Sequence, residues 1–180
     1  MGSFVPWGPL CLVLFFLLHS IICLSSGCFV EERAALMDIR SSLIRARSLK
    51  VPDSWGNGDD CCLWERVKCD NSTQLVSHLD LSSVNFMTDA DDHWYLNASV
   101  FSAFHELQYL DLSYNSPCSL NLEGLVGLAK LRYLYLSDTG LEGGFPEFIG
   151  EIVSLEVLAL NDNNLAGGLP GAAVKNLRNL

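Results

Sequence analysis

The stretch LRYLYLSDTGLEGGFP at 131–146 returns 24 residues later as LEVLALNDNNLAGGLP at 155–170. Leucine holds the first, fourth and sixth places of both. A further leucine, a pair of glycines and a proline follow at matching intervals. The LxL alternation puts Leu134 and Leu136 on one face of a short strand and Tyr133 and Tyr135 on the other. Glycine then permits a tight turn, and proline fixes φ while withholding a backbone donor, so the strand stops there.

The same spacing reaches back toward the amino terminus. Leu107, Leu110 and Leu112 make an earlier copy, 24 residues before Leu131, and Val76, Leu79 and Leu81 make the first. Leu180 stands 25 residues beyond Leu155, where a fifth copy would start. A period in the twenties with this spacing marks a leucine-rich-repeat solenoid. The expected fold is therefore an α/β solenoid, a right-handed coil whose strands stack into one parallel concave sheet. Three places after the second strand leucine stand Asn115 in one copy and Asn163 in another. A buried amide there can bond backbone groups of adjacent coils that would otherwise lack partners. Thr139 keeps a hydroxyl at that place, whereas Val84 has nothing to offer, so the first coil is expected to be irregular. Residues 174–180 begin a coil whose strand is not made within the sequence, which predicts an uncovered edge.

The chain has 180 residues and a formal charge of −10, with all 11 Lys and Arg after residue 27. Nucleic-acid binding needs clustered positive charge, so the acidic balance argues against it. From Leu10 to Leu24 the sequence is apolar except for His19 and Ser20, and Ser25, Ser26 and Gly27 follow. That run is short for a membrane span and reads as a secretory signal peptide cut near residues 24–28. No Lys or Arg precedes it, which leaves a retained signal anchor as the alternative. The chain divides into a leader at 1–27, a cap at 28–70 and about four repeats at 71–180, the last followed by an incomplete one.

Within the cap, Glu31 to Arg47 reads as one helix. Ala35, Leu36, Ile39 and Leu43 form its buried face, and Glu31, Glu32, Arg33, Asp38 and Arg40 its solvated one. Trp55 and Trp64 flank a cysteine pair and are its hydrophobic packing, and Leu63 to Cys69 leads as a strand toward the first repeat. Clustered cysteines in an exported chain point to a disulfide staple. Zinc is the rival, but neither a second close pair nor a His at ligand spacing is present. Adjacent Cys61 and Cys62 cannot easily join each other, and the economical pairing is Cys28 with Cys61 and Cys62 with Cys69. Each bridge is worth about 2–4 kcal/mol. Cys118 is left over. Asn71 and Asn97 head two N-x-[ST] glycosylation sequons, whereas Pro117 spoils a third at Asn115.

Outward strand positions are the candidate binding face. They are His78, Asp80 and Ser82, then Tyr109, Asp111 and Ser113, then Tyr133, Tyr135 and Ser137, and finally Val157, Ala159 and Asn161. Tyr109 and Tyr133 fall in one column, with rings expected about 5 Å apart, and Tyr135 lies beside Asp111. Tyrosines with nearby polar groups suit recognition of a peptide, protein or carbohydrate, and cross-strand packing alone is the plainer reading. Tyr109, Asp111, Tyr133, Tyr135 and Asn161 are the ligand-binding candidates. Residues 83–100 lengthen the first repeat, and their Asp89, Asp91, Asp92 and His93 read as a solvated loop, lacking the spacing of a calcium site. His78 and His105 have no nucleophile in a catalytic setting, and Glu147 and Glu151 read as solvated. The expectation is a binding module, not an enzyme, with neither cofactor nor metal.

Three stretches carry a family resemblance: CCLWERVKC at 61–69, the LxGGxP elements, and WYLNAS at 94–99 within the long first repeat. They resemble the cap and the plant-specific repeats of plant extracellular leucine-rich-repeat proteins, above all the amino-terminal part of receptor-like proteins. That resemblance implies recognition at the plasma membrane or in the apoplast, in defence or development. It also implies a protein or peptide ligand, a partner receptor kinase, and the same two cap disulfides. A secreted inhibitor of a microbial wall hydrolase and a receptor-kinase ectodomain share the architecture and are the alternatives.

Overall fold

Helix α1 is Val30–Arg45, and it buries Ala35, Leu36, Ile39 and Leu43 as one stripe. The computed structural model describes residues 28–85, 93–115 and 118–168. Outside the described residues lie the leader, Asp89, Asp91 and Asp92, the side chain of Cys118, and the start of a fifth coil. The helix stops two residues short of the expected end because Arg47 is left-handed, with φ 56°. Arg47 N–H donates to the Ile44 carbonyl and Ser48 N–H to that of Leu43, the paired bonds that close a helix through a left-handed residue.

One expectation fails on this helix. Glu32, read as solvated, is 1% exposed. Its carboxylate accepts the Val76 N–H through both oxygens, at 3.0 and 3.2 Å. The helix dipole favours negative charge in the first turn but does not fix which way the side chain points. Here it points inward, to a strand 44 positions away in sequence.

The bridges Cys28–Cys61 and Cys62–Cys69 staple the cap. Trp55 and Trp64 are buried with ring centroids 6.3 Å apart. Their indole N–H groups donate to the carbonyls of Glu65 and Asn57, so neither ring hides an unpaired donor. The strand expected from Leu63 is shorter: Cys61–Leu63 is a 3-10 turn with Leu63 exposed, and β1 is only Val67–Cys69.

β1 pairs antiparallel with β2, Val76–Asp80, and closes the near edge of the solenoid. Between β2 and the next strand of that sheet comes β3, Trp94–Asn97. β4 is Tyr109–Asp111, β5 Cys118–Asn121 and β6 Tyr133–Tyr135, followed by β7, Glu142–Gly143, β8, Val157–Ala159, and β9, Asn164–Leu165. The main sheet runs β1-β2-β4-β6-β8, parallel from β2 onward. Its register pairs Leu79 with Leu110, Leu110 with Leu134 and Leu134 with Leu158, as the leucine alignment predicts. Smaller parallel pairs, β3-β5 and β7-β9, complete the coils. Gly143 and Gly167 sit at φ 80° and 88° in the LxGGxP turns, a conformation glycine adopts without strain.

Every coil leaves the main sheet through a left-handed residue two places after the second strand leucine. These are Ser83, Tyr114, Asp138 and Asp162, with φ between 49° and 60°. Next comes the asparagine position. Asn163 Nδ2 donates to the Leu136 and Leu160 carbonyls, and its Oδ1 accepts the N–H groups of Thr139 and Leu141. Asn115 Nδ2 donates to the Leu81 and Leu112 carbonyls in the same way. Its Oδ1 accepts from Asn85, one place beyond Val84, so the first coil is displaced there by one residue. Val84 itself is buried among the leucines.

Away from the main sheet the 3-10 turns Ala98–Ala103 and Leu122–Leu125 pack coil on coil. A Cβ on Gly124 would stand 2.4 Å from the Ala98 carbonyl carbon and 2.4 Å from the Ser99 nitrogen. Backbone cannot yield as a side chain can. Gly124→Ala is expected to lose about 1–3 kcal/mol of stability, read by urea unfolding, as for other overpacked contacts. A loss within error would mean that the turns are not in contact.

Candidate functional site

The outward residues of four strands form one continuous face. Registers place Tyr109 between His78 and Tyr133, and Asp111 between Asp80 and Tyr135. The rings follow the column on one side of Tyr109 and the diagonal on the other. Tyr109 stacks on His78 at 5.6 Å and lies 5.3 Å from Tyr135, the diagonal neighbour. Its column mate Tyr133 is farther than expected, at 6.4 Å. Cross-strand diagonals come within reach of long side chains, and here the diagonal pair is the closer one. Four aromatic rings from three strands therefore share one patch, all partly exposed.

The two aspartates do different work from each other. Asp80 Oδ1 accepts the Ser82 N–H and hydroxyl at 2.9 and 2.6 Å, and Arg66 Nη1 stands 3.5 Å away. Asp111 Oδ1 accepts the Ser113 N–H at 2.9 Å, while Oδ2 takes the Tyr109 hydroxyl at 3.4 Å. Each carboxylate thus ties down the turn that follows its strand, and Asp111 also accepts from a ring of the aromatic patch. Burial, with the charges of Asp111 and Asp80 behind it, pushes the Tyr109 phenol up to about 12, so it remains a donor at any physiological pH. Burial, and secondarily Lys68, lowers the pKa of His78 and keeps the imidazole neutral beside the ring it stacks on.

Two ion pairs border the patch, each joining equivalent positions of neighbouring coils. Lys130 reaches Glu106 at 2.6 Å, and Arg132 grips Glu156 by Nε and Nη2 at 2.7 Å each. The Arg132 guanidinium also lies 5.5 Å from the Tyr133 ring centroid. Such exposed pairs contribute little stability.

Of the five candidates, Tyr109, Asp111, Tyr133 and Tyr135 come together. Asn161 lies beyond the end of β8, where its Oδ1 accepts the Ser137 hydroxyl at 2.7 Å and its Nδ2 donates to Asp162. His78, an outward strand position outside the five named candidates, is also part of the patch. Its place in the column with Tyr109 was the available signal. Asn71 is exposed in the turn between β1 and β2, and Asn97 is exposed at the end of β3. Among the described residues no helix is long and apolar enough to cross a membrane.

Comparison with known proteins bears on what this face is. Residues 31–70 match the family model described as leucine rich repeat N-terminal domain, and residues 74–141 match the leucine rich repeat. Receptor-like protein 9b of Arabidopsis thaliana is 34% identical over 163 residues, 86% of this chain and 16% of the relative. The chain thus spans about a sixth of the length of the curated relatives it matches. Among solved structures, a plant ice-binding protein superposes with a TM-score of 0.64 at 25% identity, over 86% of this chain and 47% of that one. The ectodomain of the receptor kinase SOBIR1 from Arabidopsis thaliana gives 0.59 at 22%, over 85% and 77%. The BIR3–SERK2 complex from the same plant gives 0.53 at 26%, over 72% and 64%.

Proposed function

We propose, since the chain belongs to the leucine-rich-repeat proteins and corresponds to the amino-terminal part of plant receptor-like proteins, that its patterned sheet face recognises a protein or peptide partner outside the cell. The observation that carries this reading is Tyr109. It touches three other aromatic rings, donates to Asp111, and still presents part of its surface. An aromatic held by neighbours on both sides loses little entropy when a partner covers it, so its contact area converts to affinity with small cost. Asp111 adds an acceptor for a cationic or amide group of that partner. The function is recognition at the cell surface in defence or developmental signalling, with a receptor kinase as the second partner class. The complex of two plant proteins among the structural neighbours supports a protein partner in general. Recognition of this kind needs no catalytic group.

The test is binding of the secreted, fluorescently labelled chain to plant protoplasts. Tyr109→Ala/Tyr135→Ala is expected to cut bound signal tenfold or more, the loss typical of a central aromatic anchor. Glu147→Ala, on an exposed turn outside the patch, leaves it unchanged. Equal binding by all three proteins, with the double variant folded by circular dichroism, would exclude the patch as the recognition surface.

A further inference from the structure

A second surface stands apart from the patterned sheet, where α1 meets β3. A groove of about 300 Å³ opens there, lined by Asp38, Ser42 and Arg45 of the helix and by Tyr95, Asn97 and Ser99. That volume is at the small end for ligand clefts. β3 alternates strictly: Trp94 and Leu96 are buried, and Tyr95 and Asn97 face out. Tyr95 is 69% exposed, and among the described residues its one aromatic neighbour is His93, edge-on at 6.5 Å. A tyrosine so bare, two residues before a glycosylation sequon and on the same side of the strand, lacks a packing reason within the described residues.

The geometry points to Asn97 as an N-glycan site whose first sugar packs on Tyr95 and fills this groove. Asn97 Oδ1 accepts the Ser99 N–H at 3.1 Å, so the amide oxygen is held to the backbone. The amide nitrogen, on the opposite side of the same carbon, is the group left to carry a sugar. In the modification a bond forms between Asn97 Nδ2 and C1 of an N-acetylglucosamine, and the nitrogen gives up a proton. The bond from C1 to a lipid-linked pyrophosphate breaks, and the pyrophosphate lipid is the leaving group. Strand spacing sets Tyr95 and Asn97 about 7 Å apart, the reach of one sugar ring. The apolar C–H face of that ring covers the phenol. The side chains of Asp38 and Arg45, which make neither a hydrogen bond nor an ion pair among the described residues, then meet its hydroxyl and acetamido groups. Asn71 offers no such seat. Two residues before it stands Cys69, tied in a disulfide.

This inference rests on the export proposed above, not on what the patterned face binds. The full chain is expressed in plant cells, and Asn97 occupancy is read by mass spectrometry after enzymatic deglycosylation in heavy-oxygen water. Ser99→Ala removes the sequon while leaving the Asn97 bond to the residue 99 N–H in place. Thermal midpoints are then compared for wild type, Ser99→Ala, Tyr95→Ala and the double variant. Each single change is expected to lower the midpoint by roughly 2–4 °C, with the double variant no lower than either one. An exported chain with bare Asn97 overturns the inference, and so do two shifts that simply add. A chain that never enters the secretory route overturns the export reading along with it.

Discussion

Asn115→Ala is expected to lose about 3–5 kcal/mol of stability, because one side chain satisfies backbone groups on two coils. Its amide nitrogen donates to the Leu81 and Leu112 carbonyls at 2.8 and 2.7 Å, and its oxygen accepts the Asn85 N–H at 2.8 Å. The side chain is almost wholly inaccessible, so water cannot replace it. Each buried group left without a partner costs about 1–3 kcal/mol. Cavity formation adds to that. Asn115→Asp is the sharper variant: it keeps the volume and one acceptor, loses both donated bonds and buries a charge. Thr139→Ala sits at the same place one coil later and should lose only about 1 kcal/mol. The Leu136 carbonyl it serves already accepts from Asn163 at 2.6 Å. Urea unfolding of the three variants orders them. If Asn115→Ala and Thr139→Ala cost the same, the amide does not bridge the coils.

That asparagine was legible from its place in the repeat, and the reason is physical. A solenoid repeats its backbone, so a backbone requirement recurs at a fixed interval and marks the sequence each time. The leucine registers Leu79–Leu110–Leu134–Leu158 were readable on the same ground. The cysteine pairing was readable because adjacent half-cystines have few options. Features set by one coil meeting another in a single way left no periodic trace. Tyr114 at φ 60° gives no sign of its left-handed backbone, although Asp138 and Asp162, at the same place, are residue types that tolerate it. Strand order put Tyr109 opposite Tyr133, but the side-chain directions bring the diagonal Tyr135 ring closer. Gly124 occurs in one copy only, where two turns touch, and looks from its sequence like any loop glycine. Glu32 was misread because a charge in a first helical turn satisfies a local rule, and its burial is imposed by a strand the rule does not include.

Glu32 should make the protein more stable in mild acid than at neutral pH. Burial pushes its carboxyl from an ordinary 4.5 up to about 7, with the nearby Glu106 and Glu31 adding to the rise; the N–H groups of Val76 and Phe29 oppose it. Glu106 is itself held by Lys130, which blunts its part. Between pH 4.5 and 7 the folded protein therefore binds a proton that the unfolded chain releases. Stability from this group is fully present below the unfolded value and is lost as pH climbs through about 7. The difference corresponds to about 3 kcal/mol. His78 acts in the opposite sense: its lowered pKa favours the fold above the ordinary histidine value and weakens it as pH falls. Total stability mixes the two, so the readout is the gap between wild type and Glu32→Gln. Glutamine keeps an acceptor for the Val76 N–H and cannot titrate. Urea unfolding at pH 5, 6, 7 and 8 should show wild type losing about 3 kcal/mol relative to Glu32→Gln across the series. A gap that stays constant would mean the carboxyl is already ionised at pH 5, and that the link from α1 to β2 is an ordinary charged hydrogen bond.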